Sequence, residues 1–176
     1  GVSFSNSSGI IQGNTITNNW DGIVFYYSSP IIQGNAVTEN NGTGIWCMNQ
    51  SNPTIRGNTV TFNKAYGIGC RDESQPEIRR NDIYGNSNDL ANEDLSVIVD
   101  ATYNYWGRPE GPEKISGNVL YTPWLTETIF SAEITSPLSG EMVSSTVRVS
   151  TEVHAQHGVQ KVEFYIDDKL KYTDYD

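Results

Sequence analysis

Asn14, Asn35, Asn58, Asn81 and Asn104 stand 21, 23, 23 and 23 residues apart, and a second row, Asn19, Asn40, Asn63 and Asn86, follows the first four at five positions. One aliphatic residue lies between the members of each pair: Ile16, Val37, Val60 and Ile83, with Trp106 after Asn104. Ile11, Ile32, Ile55, Ile78 and Ala101 precede the leading asparagines by three. Gly1, Gly22, Gly44 and Gly67 open successive units, and Pro30, Pro53 and Pro76 recur at 23. An internal repeat of this length constrains the fold more than any other feature of the chain. Helical repeats need about 33 residues to hold two helices, and a leucine-rich repeat needs a leucine lattice that is nearly absent here. The units instead carry short segments of period two, which is the strand signature. They are broken by Gly-Asn, Asn-Gly and Ser-x-Pro steps that suit turns.

Three short strands per unit, stacked in register, make a parallel β-helix. Equivalent inward residues then lie roughly 4.8 Å apart, so the aliphatic rows form a dry core. The asparagine rows fall at bends, where Asn tolerates left-handed φ and its amide can donate to the next coil's carbonyl oxygen. About five coils are expected over residues 1–107. The segment between Asn86 and Val97 breaks the pattern, because strict repetition would turn Glu93 inward at the place of Cys70. A bulged loop that restores register by Val97 or Val99 is expected instead.

All 17 asparagines lie before residue 119, so a second region begins further on. Residues 128–176 alternate as strands joined by turns, including Thr146 to Val153, Val162 to Ile166 and a turn at Asp167-Asp168. This pattern predicts an antiparallel sandwich. Fewer than 50 residues are present where such a sandwich takes about 100, so the domain is expected to be incomplete and the chain part of a longer one. The expected organisation is therefore all-β, with a β-helix and its cap over 1–127 and the start of a sandwich over 128–176.

Composition narrows the function. Only 18% of residues are charged and the net charge is −10, which disfavours a nucleic-acid surface, since that would need a basic stripe. No apolar run nears the roughly 18 residues of a spanning helix, so no membrane span is expected in these residues. Two cysteines are too few for a disulfide framework or a zinc site. Cys47 and Cys70 share an inward row and are expected as buried thiols. His154 and His157 form an H-x-x-H with no third ligand and are expected as surface residues. The sequons at Asn6, Asn41 and Asn49 are ordinary in a chain this rich in Asn, Ser and Thr.

The N-x-[IV]-x-x-N repeat resembles that of right-handed parallel β-helix proteins of the pectin-lyase-like superfamily, and of NosD-like periplasmic proteins. The resemblance extends through Asp100-Ala101-Thr102-Tyr103-Asn104-Tyr105-Trp106-Gly107, Gly111-Pro112, Gly117-Asn118-Val119 and Tyr121-Thr122-Pro123-Trp124-Leu125, which match a capping stretch. A solenoid end needs such a cover for its open apolar layer and strand edges. Gly158 to Asp167 resembles bacterial immunoglobulin-like domains of surface and carbohydrate-active proteins. Together these resemblances imply an extracellular, cell-surface or periplasmic location. The copper-binding label of NosD-like relatives is not carried over, because the coils hold no His or Met cluster.

The chemical candidates are few. The outward rows of the first strand read Val24, Trp46, Gly69 and Tyr26, Met48, Arg71. In the superfamily that the coils resemble, this face commonly carries the substrate groove. Exposed Tyr26 and Trp46 are expected to stack on sugar rings, with Arg71 and Asp72 supplying hydrogen bonds. The 23-residue register also places Glu77 beside Asp100, with Arg79 on the same face. Two carboxyls could serve a glycoside hydrolase, and acidic residues holding Ca²⁺ beside an Arg or Lys base could serve a lyase. A surface ion-pair ladder is the plainer account of this cluster. No catalytic residue, resident cofactor or metal site is assigned, with Ca²⁺ the one ion left open. A non-catalytic module binding a polysaccharide or cell-surface glycan is favoured. The alternative is a lyase, hydrolase or epimerase whose catalytic coils are missing or unrecognised.

Overall fold

The computed structural model describes residues 1–137, 142, 144, 148–155, 161–166 and 169–175. It comprises two compact units, Gly1–Thr128 and Ile129–Asp176.

The first unit is a parallel β-solenoid of about five turns whose coils contribute to three sheets. The first sheet holds β1 (Val2–Ser5), β4 (Ile23–Tyr26), β7 (Ile45–Met48), β10 (Tyr66–Cys70), β13 (Asn88–Asn92) and β15 (Ile115–Ser116) in that order. The second holds β2 (Ile10–Gln12), β5 (Ile31–Gln33), β8 (Thr54–Arg56), β11 (Glu77–Arg79), β14 (Val99–Asp100) and β16 (Val119–Leu120). The third holds β3 (Thr15–Thr17), β6 (Ala36–Thr38), β9 (Thr59–Thr61) and β12 (Asp82–Tyr84), continued by parallel bridges from Asp82 to Tyr105 and from Tyr105 to Leu125. Most strands are only three or four residues long because a bend follows each alternating segment. Their β-branched centres suit a pleated surface with one dry face.

The expected rows are the observed ones. Ile32 pairs with Ile55 and Ile55 with Ile78, while Val37 pairs with Val60 and Val60 with Ile83. All of them are fully buried, and Trp106 joins the same cluster at 3% exposure. Phe4, Ile115, Val119 and Trp124 pack against it as partly buried flanks.

Bends that bury backbone groups must satisfy them, and side chains do so here. In the first row the Asn35 amide donates to Asn58 Oδ1 at 3.0 Å, Asn58 to Asn81 at 2.9 Å and Asn81 to Asn104 at 2.9 Å. The backbone N–H of each residue donates to the same oxygen. The second row behaves alike, with Asn40 donating to Asn63 and Asn63 to Asn86. The Ser-x-Pro steps provide a third ladder: the N–H of Ser28 donates to Ser51 Oγ and that of Ser51 to Ser74 Oγ.

The opening glycines answer to inter-coil spacing. A Cβ at Gly22 would lie 2.5 Å from the carbonyl oxygen of Gly44, and one at Gly44 would lie 2.6 Å from that of Gly67.

The break after Asn86 is resolved by shortening the coil. Leu90, not Ala91, pairs with Ile68, and Asn92 stands opposite Cys70 where strict repetition would place Glu93. Glu93 is exposed, and residues 93–98 leave the solenoid before Val99 returns to the core at full burial.

In the second unit β17 (Phe130–Ser136) pairs antiparallel with β18 (Ser150–Ala155), and β19 (Lys161–Ile166) with β20 (Lys169–Tyr175). The expected turn at Asp167-Asp168 and His157 lie outside the described residues.

Candidate functional site

Trp46 sits at the second position of β7, opposite Gly69 of β10. The absence of a side chain at Gly69 leaves room for the indole: a Cβ built there would lie 2.5 Å from Trp46 Cζ3 and 2.6 Å from Cε3. Tyr66 meets the indole edge-on, with centroids 5.4 Å apart and planes at 78°. The Arg71 guanidinium carbon lies 5.2 Å from the Trp46 centroid, within cation–π range. Arg71 also approaches Asp72, its Nε 3.5 Å from Oδ2. Trp46, Arg71 and Asp72 thus form one neighbourhood on the middle strands of the first sheet.

Burial differs from the expectation at two points. Trp46 is half-buried, because it lies down over Gly69 instead of standing free. Met48, on the row between Tyr26 and Arg71, is only 4% exposed, so that row is not an open aromatic strip. Tyr26 remains 38% exposed one coil away.

The structure adds Tyr66 and Glu93 to this neighbourhood. The Tyr66 hydroxyl donates to Glu93 Oε1 at 3.0 Å. That hydrogen bond is the main reason the phenol is harder to ionise than usual, ahead of burial and the repulsion of the nearby carboxylate. Glu93 reaches Tyr66 because the turn from the fourth coil into β13 is a residue short. Beside it, Gln50 donates to Glu73 at 2.9 Å, and the Glu73 N–H donates to Asp94 at 2.8 Å. The cluster therefore offers an aromatic plane, a guanidinium and several carboxylate oxygens.

On the second sheet Glu77 and Asp100 are direct neighbours on β11 and β14. Arg79 lies between their charges, with Nε 3.2 Å from Glu77 Oε1 and Nη2 2.5 Å from Asp100 Oδ2, and its guanidinium carbon is 6.0 Å from the Tyr103 centroid. Burial pushes the Asp100 carboxyl up, but hydrogen bonds from Thr102 and Arg79 outweigh it and hold the group below the usual carboxylate range. A general acid needs the opposite shift. This geometry fits an ion-pair ladder.

Cys47 and Cys70 are neighbours on one inward row, free and buried. Burial, then a hydrogen bond with Cys70, pushes the Cys47 thiol well up, which makes it a poor nucleophile. Among the described residues no three His, Cys, Asp or Glu side chains gather as a metal group, and no helix is long and apolar enough to cross a membrane.

Coils of three parallel sheets, with amide ladders at their bends, define a parallel β-helix bearing a polar and aromatic patch. The right handed beta helix region family matches residues 1–106, and the chain belongs to that family. The bacterial Ig domain family matches residues 131–176. No curated protein and no solved structure matches the chain. A β-helix joined to a bacterial Ig domain is the make-up of a surface or extracellular module.

Proposed function

We propose that the β-helix is a non-catalytic extracellular module that binds a neutral polysaccharide on its first-sheet face. The observation that carries this reading is the half-buried Trp46 indole laid over Gly69, with Tyr66 and Arg71 beside it. Sugar rings stack on aromatic planes, and Arg and carboxylate groups at the rim can bond their hydroxyls. A rigid solenoid holds these groups in place with little ordering entropy on binding. The net charge of −10 repels an acidic glycan, so a neutral one, or an acidic one bridged by Ca²⁺, is favoured. The ion pairs of Arg79 with Glu77 and Asp100 favour a structural ladder on the second sheet.

A glycan array probed with and without Ca²⁺, run beside reducing-end and unsaturated-product assays, tests the proposal. Retention of a neutral glycan without product, weakened in Trp46→Ala, is expected. Product formation would replace the module with a carbohydrate-active enzyme. No retention would leave a structural surface rod.

A further inference from the structure

The second asparagine ladder ends in a different residue. Asn86 has no asparagine to receive it in the next coil, and Asp89 takes that place: Oδ1 accepts from the Asn86 N–H at 3.2 Å and from Nδ2 at 3.1 Å. These bonds engage only one carboxylate oxygen and leave the second outside the ladder. Lys114 approaches from the capping segment and donates to the Asn86 carbonyl at 3.0 Å. Between these groups and the end of the third sheet lies a cleft of about 200 Å³, lined by Tyr84, Asp89, Trp106, Arg108, Glu113 and Lys114. Gly107, at φ +81°, brings the backbone so close to Tyr84 that a Cβ would lie 2.6 Å from the tyrosine Cβ.

Trp106 is 3% exposed, and its Nε1–H is buried without an acceptor. Indole can only donate, so the group needs an oxygen that the protein does not supply. Charge in the cleft is balanced. Arg108 pairs with Glu113 and lies near Glu110, and Asp89 and Lys114 contribute one charge of each sign. No cation is left to select an anionic ligand. Two aromatic rings, carboxylate oxygens and cationic donors in one small cleft suit a ring that carries many hydroxyls. The volume is below the roughly 300–1,000 Å³ of pockets that take drug-sized ligands, which fits one ring and not an oligomer.

We propose that this cleft binds a single neutral hexopyranose, a free sugar or the end residue of a glycan, with a ring hydroxyl accepting from Trp106 Nε1–H and others bonding Asp89 and Arg108. The site takes Asp89 from β13 but shares no residue with the Trp46, Tyr66 and Arg71 patch, and it stands whether or not that patch binds a polysaccharide.

The test is an NMR titration of the ¹⁵N-labelled chain with D-glucose, D-galactose, D-mannose and D-galacturonate, following the assigned indole N–H of Trp106. One neutral hexose is expected to move that resonance saturably, and galacturonate more weakly. Asp89→Asn keeps an Oδ1 for the ladder, and Arg108→Gln removes only a partly exposed ion-pair member, so both should retain the parent's spectrum. Each should weaken binding about tenfold or more, while Trp46→Ala should leave it unchanged. The proposal is overturned if no sugar moves the resonance up to about 100 mM, as a water alone on Trp106 would give. It is equally overturned if both cleft variants bind like the parent, or if galacturonate binds as well as the neutral sugars.

Discussion

Asn58 donates through Nδ2 to Asn81 Oδ1 at 2.9 Å, and its own Oδ1 accepts both the N–H and the side-chain amide of Asn35. The same Nδ2 also reaches the carbonyl of Ile32 at 2.9 Å. Asn35, Asn58 and Asn81 each tie three coils together in this way while remaining out of solvent.

Asn58→Ala should be among the most destabilising changes in the bends. It strands the buried N–H of Asn35 and removes one partner each from the Asn35 amide and the Ile32 carbonyl, and buried unpartnered groups cost about 1–3 kcal/mol each before relaxation. A net loss of roughly 2–4 kcal/mol is expected in urea unfolding. Asn41→Ala, at an exposed position bonded only by Lys64, should stay within about 0.5 kcal/mol of the parent. Similar losses in both would show that the ladder does not hold the bends.

Ile55 lies between Ile32 and Ile78 with no exposure. Ile55→Asp would place a charge in the dry row with no partner, and the rod should fail to fold. Far-UV circular dichroism of the variant should lose the strand signal. A parent-like melt would mean that the inward register is misassigned.

Gly69→Ala tests the floor of the first-sheet patch. Its Cβ would overlap the Trp46 ring, which can swing away because it is the end of a side chain. Melting should change little, by under about 1 kcal/mol, while Trp46 fluorescence shifts to the red as the indole leaves the sheet. Glycan retention should fall with it. Undiminished retention with a displaced indole would separate binding from Trp46.

Asp89 gives the pH dependence. Burial raises its carboxyl above the ordinary 3.8, although bonds from Asn86 and the charge of Lys114 pull the other way. The folded state therefore binds this proton more tightly than the unfolded state. Its unfavourable contribution is full above the folded pKa and fades as pH falls through that value and past 3.8. Asp89→Asn should then be more stable than the parent at neutral pH, and the difference should shrink in acid. A constant difference from pH 7 to about pH 3 would refute this assignment. Asp100 has the opposite sign, so its contribution is present above 3.8 and lost as pH falls through its depressed folded value.

Spacing alone made the asparagine and isoleucine rows legible, because a coil that must repeat its hydrogen bonds repeats the residues that make them. Ser28, Ser51 and Ser74 were visible only as parts of Ser-x-Pro steps, since a hydroxyl at a bend has no signal beyond its period. The posture of Trp46 was less accessible: only the pairing of a large ring with Gly69 hinted that it would lie flat. Glu93 stood out as a misfit in the repeat, but its contact with Tyr66 was not legible, because it depends on a coil one residue short. Asp89 escaped notice for a related reason, being a carboxylate that completes an amide ladder from three positions beyond its last member.

The bonds from asparagine to asparagine all run one way, from the amide of one coil to the side-chain oxygen of the next. Backbone bonds between parallel strands alternate in direction and nearly cancel, but these side-chain dipoles add. Two columns of aligned amides thus turn their oxygens toward the first coil and their hydrogens toward the last, giving the rod a negative and a positive pole. The Asp89 carboxylate sits at the positive pole of its column. It occupies the place that an anion takes at the start of an α-helix, in a protein that has no helix among its described residues.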